Sequence, residues 1–376
     1  MDERDAMDAK DPGVTAPLPR PRRGRGALSN ADGRFEPYVH AGIDDGWGFL
    51  DEELPPLATE VYVDTSRTII ARNDSPDIPF GQSINPYRGC EHGCVYCYAR
   101  PSHAYLGLSP GLDFETKLFA KPEAAKLLAA ELRRRGYRPS AIALGSNTDP
   151  YQPVERKLKI TRAILEVLAA HDHPLTIVTK SALVARDLDL LAPMAAKRLV
   201  GVFVSVTTLD RELARHLEPR AAAPHRRLET IRMLASAGVP TGVMFAPVIP
   251  ALNDHEMERV LEAAAGAGAR HAGWVLLRLP HEVKALFREW LAAHAPGRAA
   301  HVMSLIHQAR GGRDNDPRFG SRMRGQGPWA GLTAQRFATA CRRFGLNREE
   351  LVLDTARFRV PDRASAQLDL FVEQAG

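Results

Sequence analysis

Cys90, Cys94 and Cys97 account for three of the four cysteines in a chain of 376 residues, all on the run Asn85-Pro-Tyr-Arg-Gly-Cys-Glu-His-Gly-Cys-Val-Tyr-Cys-Tyr-Ala-Arg100. Their C-x3-C-x2-C spacing brings three thiolates within reach of one metal centre. Gly89 and Gly93 directly precede two of them, where a loop that wraps a centre needs backbone freedom that a β-carbon restricts. Three thiolates suit a soft centre, either zinc or an iron–sulfur cluster. A structural zinc site closes with four ligands, and the local candidates for a fourth are His92 and His103. Cys341 lies far away, on a stretch that reads as a helix. A three-cysteine cubane with one open iron fits the donor set better, because that iron can take a substrate or a second cofactor. A disulfide framework fits poorly. Three clustered cysteines in a long chain without an apolar N-terminal signal segment lead us to expect a reducing cytoplasm.

Polar residues collect at a second place, Gly145-Ser-Asn-Thr-Asp-Pro-Tyr-Gln-Pro-Val-Glu155. Gly145, Ser146, Asn147, Thr148, Asp149, Gln152 and Glu155 there offer donors and acceptors for a polar small molecule. The same residue types also serve as turn and cap chemistry. Lys180, after a third candidate strand, is placed to meet a carboxylate, or it is a snorkelling surface lysine. Ser205 closes a fourth strand and points into or out of the sheet by alternation. Arg220 can pair with a ligand carboxylate or with Glu218. Asn253 and Asp254 read as caps of a following helix. Arg310, Arg313, Arg318, Arg322 and Arg324 form a candidate phosphate-facing patch, with Phe319 and Trp329 as a thin set of aromatics beside it.

The elements that must carry these residues follow a simple rhythm. Residues 1–35 lack aliphatic periodicity and read as a disordered basic tail. Residues 36–80 form an N-terminal extension whose stretches 60–64 and 68–71 alternate like an edge hairpin. From residue 81 to about 300, short apolar strands at 84–88, 141–145, 175–179, 199–206, 241–247 and 273–279 alternate with helices near 122–136, 157–171, 183–196, 225–237, 254–268 and 281–295. Serial βα units imply parallel strands with right-handed crossovers, so we expect an α/β fold built as a partial (βα)6 TIM-like barrel with N- and C-terminal extensions. Such barrels work at the carboxyl ends of their strands, where the cysteine loop falls. Residues 301–376 read as a Gly/Arg-rich segment and a helix, near 333–345, docked on the barrel through Phe319, Met323 and Trp329. The chain is 44% hydrophobic and 25% charged with a formal net charge of +5, which permits an anionic partner without requiring one. No apolar run reaches the roughly 20 residues of a membrane helix.

The C-x3-C-x2-C spacing with an aromatic, Tyr96, just before the last cysteine resembles the signature of the radical S-adenosylmethionine (SAM) enzymes. That resemblance implies a [4Fe–4S] cluster on Cys90, Cys94 and Cys97 whose open iron chelates the methionyl end of SAM. It further implies reductive cleavage to a 5′-deoxyadenosyl radical that abstracts hydrogen, with flavodoxin or ferredoxin as the class of reductant. Asn85-Pro-Tyr-Arg-Gly-Cys90, Thr148-Asp-Pro-Tyr-Gln-Pro153, Thr179-Lys-Ser181 and Phe319-Gly-Ser-Arg-Met-Arg-Gly325 are similar to the spore photoproduct lyase-like, DNA-repair-photolyase-like branch. By that likeness Tyr96 contacts adenine through its backbone, Lys180 and Ser205 assist the methionine end of SAM, and 145–149 line the pocket; Arg220 keeps its two readings, the SAM carboxylate or Glu218. One departure stands out. The lyases carry a hydrogen-returning cysteine near the second strand, and Gly145-Ser-Asn-Thr-Asp149 has none; Cys341 could replace it only if the last helix covered the barrel mouth. The expected function is radical SAM hydrogen abstraction, with nucleic acid as a candidate substrate. The alternative is a non-enzymatic zinc or nucleic-acid-binding module that uses the cysteine loop structurally.

Overall fold

A computed structural model of the chain describes residues 21–36 and 57–360. Its centre is a seven-stranded sheet in the order β10-β9-β8-β7-β6-β3-β2. The strands are β2 (Ile70–Arg72), β3 (Gln82–Ile84), β6 (Ile142–Leu144), β7 (Leu175–Thr179), β8 (Val200–Ser205), β9 (Thr241–Val248) and β10 (His271–Leu276). All neighbouring pairs from β3 through β10 are parallel, and β2 is added antiparallel at the β3 edge. Both edges of the sheet stay open among the described residues, since β10 and β2 do not pair. The expected partial barrel is what forms.

The strands read as near-continuous apolar runs because helices cover the sheet. Leu175, Ile177, Val200, Val202, Val204, Val243 and Phe245 are fully buried, and they meet Ile164, Leu165, Leu168, Leu191, Ile231, Leu234, Val260 and Leu261 from the covering helices in one core. Those helices are Ile160–Ala170, Leu188–Ala196, Pro224–Ser236 and Met257–Gly266, each returning the chain to the next parallel strand. The loops that follow the parallel strands therefore gather at one rim of the sheet, its carboxyl end.

The extensions depart from expectation. The stretches 60–64 and 68–71 do not pair with each other: β1 (Glu60–Val63) runs parallel to β5 (Lys117–Ala120), which also pairs with β4 (Tyr87–Arg88), while β2 joins the main sheet. Alternation fixes which face of a strand is buried and leaves its partner open. Residues 1–20 of the expected disordered tail lie outside the described residues, but 21–36 are placed, with Arg25, Ala27 and Leu28 buried. Residue 300 falls inside a helix the sequence pattern did not disclose, Pro296–Ala309, so no linker divides the chain there. The last helix among the described residues, Gly327–Phe344, packs on Met257–Gly266 at the outside of the sheet. No helix among the described residues is long and apolar enough to cross a membrane.

Candidate active site

The cysteine loop leaves the carboxyl end of β3 and is held on three sides. From outside, Glu115 is fully buried: its carboxylate accepts the backbone N–H groups of Gly26 (3.0 Å) and Ala27 (2.8 Å) and pairs with the buried Arg100 guanidinium. Arg100 in turn donates to the carbonyls of Cys94 (2.9 Å), Pro110 (3.0 Å) and Gly111 (2.8 Å). Gly89 and Gly93 adopt φ of 75° and 66°, and a β-carbon on Gly93 would stand 2.7 Å from a Glu115 carboxylate oxygen. The expected need for glycine before the cysteines is thus met by both backbone and space.

From the neighbouring strand, the 145–155 loop grips the cysteine loop with side chains. Asn85 accepts the backbone N–H groups of Asn147 (3.0 Å) and Thr148 (3.4 Å) and contacts Ser146 Oγ (3.3 Å). Gln152 accepts from Glu91 N (2.8 Å) and donates to Gly89 O (3.2 Å). Asp149 faces His92 Nδ1 (3.3 Å) and accepts from Lys180 N and Thr179 Oγ1, both at 2.7 Å. Burial alone would raise the Asp149 carboxyl, but the adjacent His92 and these donors outweigh it and hold it down to about 2. Gly145 turns the chain out of β6 at φ 88°, with Val178 O only 2.1 Å from where a β-carbon would sit. Asp149 and Gln152 therefore join two loops, while the backbone of 145–147 is left lining the rim.

From beneath, β8 and the segment after it supply charge. Glu218 is buried and pairs with Arg227, and it also receives the hydroxyls of Tyr96 and Thr207, the latter at 2.5 Å. Burial opposes both charges, yet Arg227 and then Lys180 keep the Glu218 carboxyl below its usual range, and Glu218 keeps Arg227 above its own. Lys180 Nζ lies 5.9 Å from the centre of the Tyr96 ring. Burial lowers its affinity for the proton, but the Cys94 thiol and Glu218 outweigh that and leave its pKa raised. Ser205 is buried at the end of β8, where its carbonyl accepts from Arg227 Nη1 at 3.0 Å.

The thiols are close enough to influence one another. Burial pushes Cys90 well up and Cys94 to about 12, with neighbouring cysteines adding to both. Cys97 is half-buried and packs against both Cys90 and Cys94 clusters. Among the described residues no three Cys, His, Asp or Glu side chains are already gathered at metal-ligating distance. The loop thus offers its thiols on one wrapped turn without drawing them onto a common point, and loading a metal must displace their protons. The donor chemistry fits an iron–sulfur cluster. It fits closed zinc poorly, since the two local histidines are turned to other partners: His92 faces Asp149 and His103 Nε2 lies 2.9 Å from the Lys117 carbonyl.

Several expected partnerships resolve differently. Arg220 pairs with Glu91 (3.1 Å) on the cysteine loop, not with Glu218. Asn253 makes no cap: its side chain accepts from Ile249 N (2.6 Å) and donates to Thr207 O (2.8 Å) and Pro247 O (2.9 Å). Cys341 is buried beside Asn347, whose side chain exchanges hydrogen bonds with Ala272 at the amino end of β10, so this thiol lies at the end of the sheet opposite the cysteine loop. It cannot serve the mouth. Four of the five arginines of the patch, Arg310, Arg318, Arg322 and Arg324, are engaged in internal contacts, while Arg313 is exposed. Arg310 is buried and donates to Leu276 O, Leu277 O, Ser321 O and Arg322 O. Arg322 forks onto Asp77, Arg318 onto Asp316, and Arg324 donates to Trp274 O. Phe319 is 58% exposed and packs under the Arg322 guanidinium (4.6 Å to the ring centre), whereas Trp329 packs on the core. Arg227 and Thr207 escaped sequence reading because a helix arginine and a strand-end threonine carry no spacing signal.

Residues 84–264, from the end of β3 into the Met257–Gly266 helix, match the model of the radical SAM superfamily. The chain belongs to the radical SAM superfamily. It is therefore a radical SAM enzyme, of a family that implies SAM and an iron–sulfur cluster. An uncharacterized protein of Mycobacterium tuberculosis (strain ATCC 25618 / H37Rv) is 41% identical over 233 residues, covering 61% of this chain and 68% of the relative. An uncharacterized protein of Methanocaldococcus jannaschii is 28% identical over 173 residues, covering 46% and 62%. Among solved structures, a spore photoproduct lyase variant with bound AdoMet and dinucleoside spore photoproduct superposes with a TM-score of 0.55 at 16% identity, covering 76% of this chain and 80% of that one. A second lyase variant gives 0.54 at 17%, covering 78% and 86%. The likeness to the lyases is one of fold.

Proposed function

We propose that this radical SAM enzyme carries a [4Fe–4S] cluster on Cys90, Cys94 and Cys97 and abstracts hydrogen from a substrate held over the carboxyl rim of its sheet. The observation that carries the reading is a wrapped turn bearing Cys90, Cys94 and Cys97, braced by Glu115, Gln152 and Asp149, on the rim where the loops that follow the parallel strands gather. When bound, the cluster supplies the electron that cleaves SAM to a 5′-deoxyadenosyl radical.

The chain's own residues then bind and orient. Lys180, with its raised pKa, presents a persistent cation beside Cys94 for the SAM carboxylate, and Tyr96 is fixed by its hydroxyl on Glu218 so that its backbone can meet the adenine. The 145–147 backbone closes the side of the pocket. Asp149, Ser205 and Arg220 act one step back: Asp149 orients Lys180 through its backbone, Ser205 receives Arg227, and Arg220 steadies Glu91. A reductant of the flavodoxin or ferredoxin class and a reducing cytoplasm belong to the same reading. Nucleic acid is the substrate class we favour, because the fold is that of an enzyme solved with a dinucleoside photoproduct. The missing cysteine at 145–149 argues for a different way of ending the reaction.

Anaerobic reconstitution with iron and sulfide, followed by dithionite and SAM, tests the core claim. We expect broad visible absorbance and 5′-deoxyadenosine, both lost on Cys90→Ala, Cys94→Ala or Cys97→Ala. Undiminished product in any of the three sinks the assignment. Substrate class is read separately, from deuterium passing out of labelled oligonucleotides into deoxyadenosine.

A further inference from the structure

Arg278 follows the end of β10 at the carboxyl rim and has no counter-charge of its own. Its guanidinium lies 5.3 Å from the centre of the Tyr98 ring and 3.9 Å from Met323 Sδ, and its Nε is buried with no hydrogen-bond partner among the described residues. The acid nearest in influence, Asp77, is already gripped by both arms of Arg322, at 2.7 and 2.5 Å. Burial holds the Arg278 pKa below its usual value, and Tyr98 and Asp77 offset this only in part. A cation withdrawn from water without a counter-charge costs stability unless a ligand supplies the missing charge.

Its position says what kind of ligand that is. Tyr96 and Tyr98 flank Cys97, and each carries one cation: Lys180 stands 5.9 Å from the first ring and Arg278 5.3 Å from the second. The Tyr98 hydroxyl donates to the Ser146 carbonyl beyond β6, a strand that does not neighbour β10, so the ring with Arg278 on its face lies across the mouth of the sheet. Beside Met323, Arg322 stacks on Phe319 at 4.6 Å. Tyr98 is 46% exposed, so like Phe319 it is an open ring backed by an arginine.

We infer that Arg278 receives a backbone phosphate of a single-stranded nucleic-acid substrate, with the exposed Tyr98 and Phe319 rings beside it as stacking surfaces for bases. A guanidinium fork matches the paired oxygens of a phosphate, and aromatic faces next to basic groups suit a strand whose bases are unpaired. The inference rests on the reading of this rim as the substrate face. Binding is measured without turnover, while 5′-deoxyadenosine from the unsubstituted protein reports on the cluster alone, so either can fail while the other stands.

The test titrates labelled single-stranded DNA with the full-length reconstituted protein, by fluorescence anisotropy across a salt series. We expect saturable binding that weakens at least about tenfold in Arg278→Met. The slope of log affinity against log salt should become shallower by about 0.7, the share of one single-strand phosphate. Arg278→Lys, which keeps the charge and loses the fork, should keep that slope and recover part of the affinity. The melting temperature of Arg278→Met should hold or rise, because a buried cation without a counter-charge is gone. Four results overturn the assignment: no binding by the unsubstituted protein at tens of micromolar in low salt, an Arg278→Met titration that matches it in affinity and slope, an Arg278→Met protein that melts several degrees lower, or Arg278-dependent binding of a glutamate-rich peptide in place of the oligonucleotide.

Discussion

At the level of single residues, the site depends on buried charges that offset one another. Glu218 and Arg227 are both removed from water; Lys180 is a second cation near Glu218, whereas Arg227 depends on Glu218 as its main counter-charge. Removing one partner of such a pair commonly costs ~3–5 kcal/mol, because the survivor stays buried and uncompensated, whereas replacing both costs far less. Arg227→Met should therefore lower the denaturation midpoint sharply, and Glu218→Gln combined with Arg227→Met should recover much of the loss in a double-mutant cycle; additive losses would deny the coupling. Asp149 gives a pH signature. Its carboxyl is held at about 2 against an ordinary 3.8, so its contribution is fully present above pH 3.8 and is lost as pH falls through about 2. That contribution is ~2 kcal/mol. Asp149→Asn should flatten the acid limb of a stability-versus-pH curve while lowering stability at neutral pH.

At the level of elements, the turn from β6 into the 145–155 loop is a tight junction. Gly145 combines φ of 88° with a β7 carbonyl, Val178 O, 2.1 Å from the position of a β-carbon. Gly145→Ala must shift one strand end against the other and should cost at least ~2 kcal/mol, measured by chemical denaturation, together with weaker SAM binding as the Asn147 and Thr148 amides leave Asn85. Six parallel strands and the rim position of the cysteines were legible, because buried parallel strands leave apolar runs at βα intervals. Pairing was not. Val61 and Ile70 show alternation equally well, and nothing local says that one joins β5 and the other β3. The Pro296–Ala309 helix hid behind its opening Pro-Gly-Arg, while its buried Val302, Met303 and Ile306 pack on a satellite core that only the folded chain assembles.

For the molecule as a whole, the distribution of positive charge was the part least visible in the sequence. Five arginines in a Gly-rich run look like a phosphate-binding strip, yet Arg310 satisfies four carbonyls and Arg322 and Arg318 are forked onto aspartates. What distinguishes a free arginine from a committed one is distant in sequence, as Asp77 is from Arg322. The two ends of the sheet are thereby separated in purpose. Loops carrying the proposed chemistry gather at one rim, and the 347–359 strap closes the other through Phe358 against Tyr137, His171 and His173, and Asn347 against Ala272. Truncation after Leu346 removes those contacts and the Arg359–Asp172 pair without touching the cysteine loop. The melting temperature should fall by several degrees, in keeping with the loss of a few kcal/mol in a domain of this size. SAM cleavage per loaded cluster at a temperature well below the melt should hold, because no strap residue reaches the carboxyl rim. A truncated enzyme that kept its melting temperature and lost cleavage would place the strap at the wrong end of the sheet.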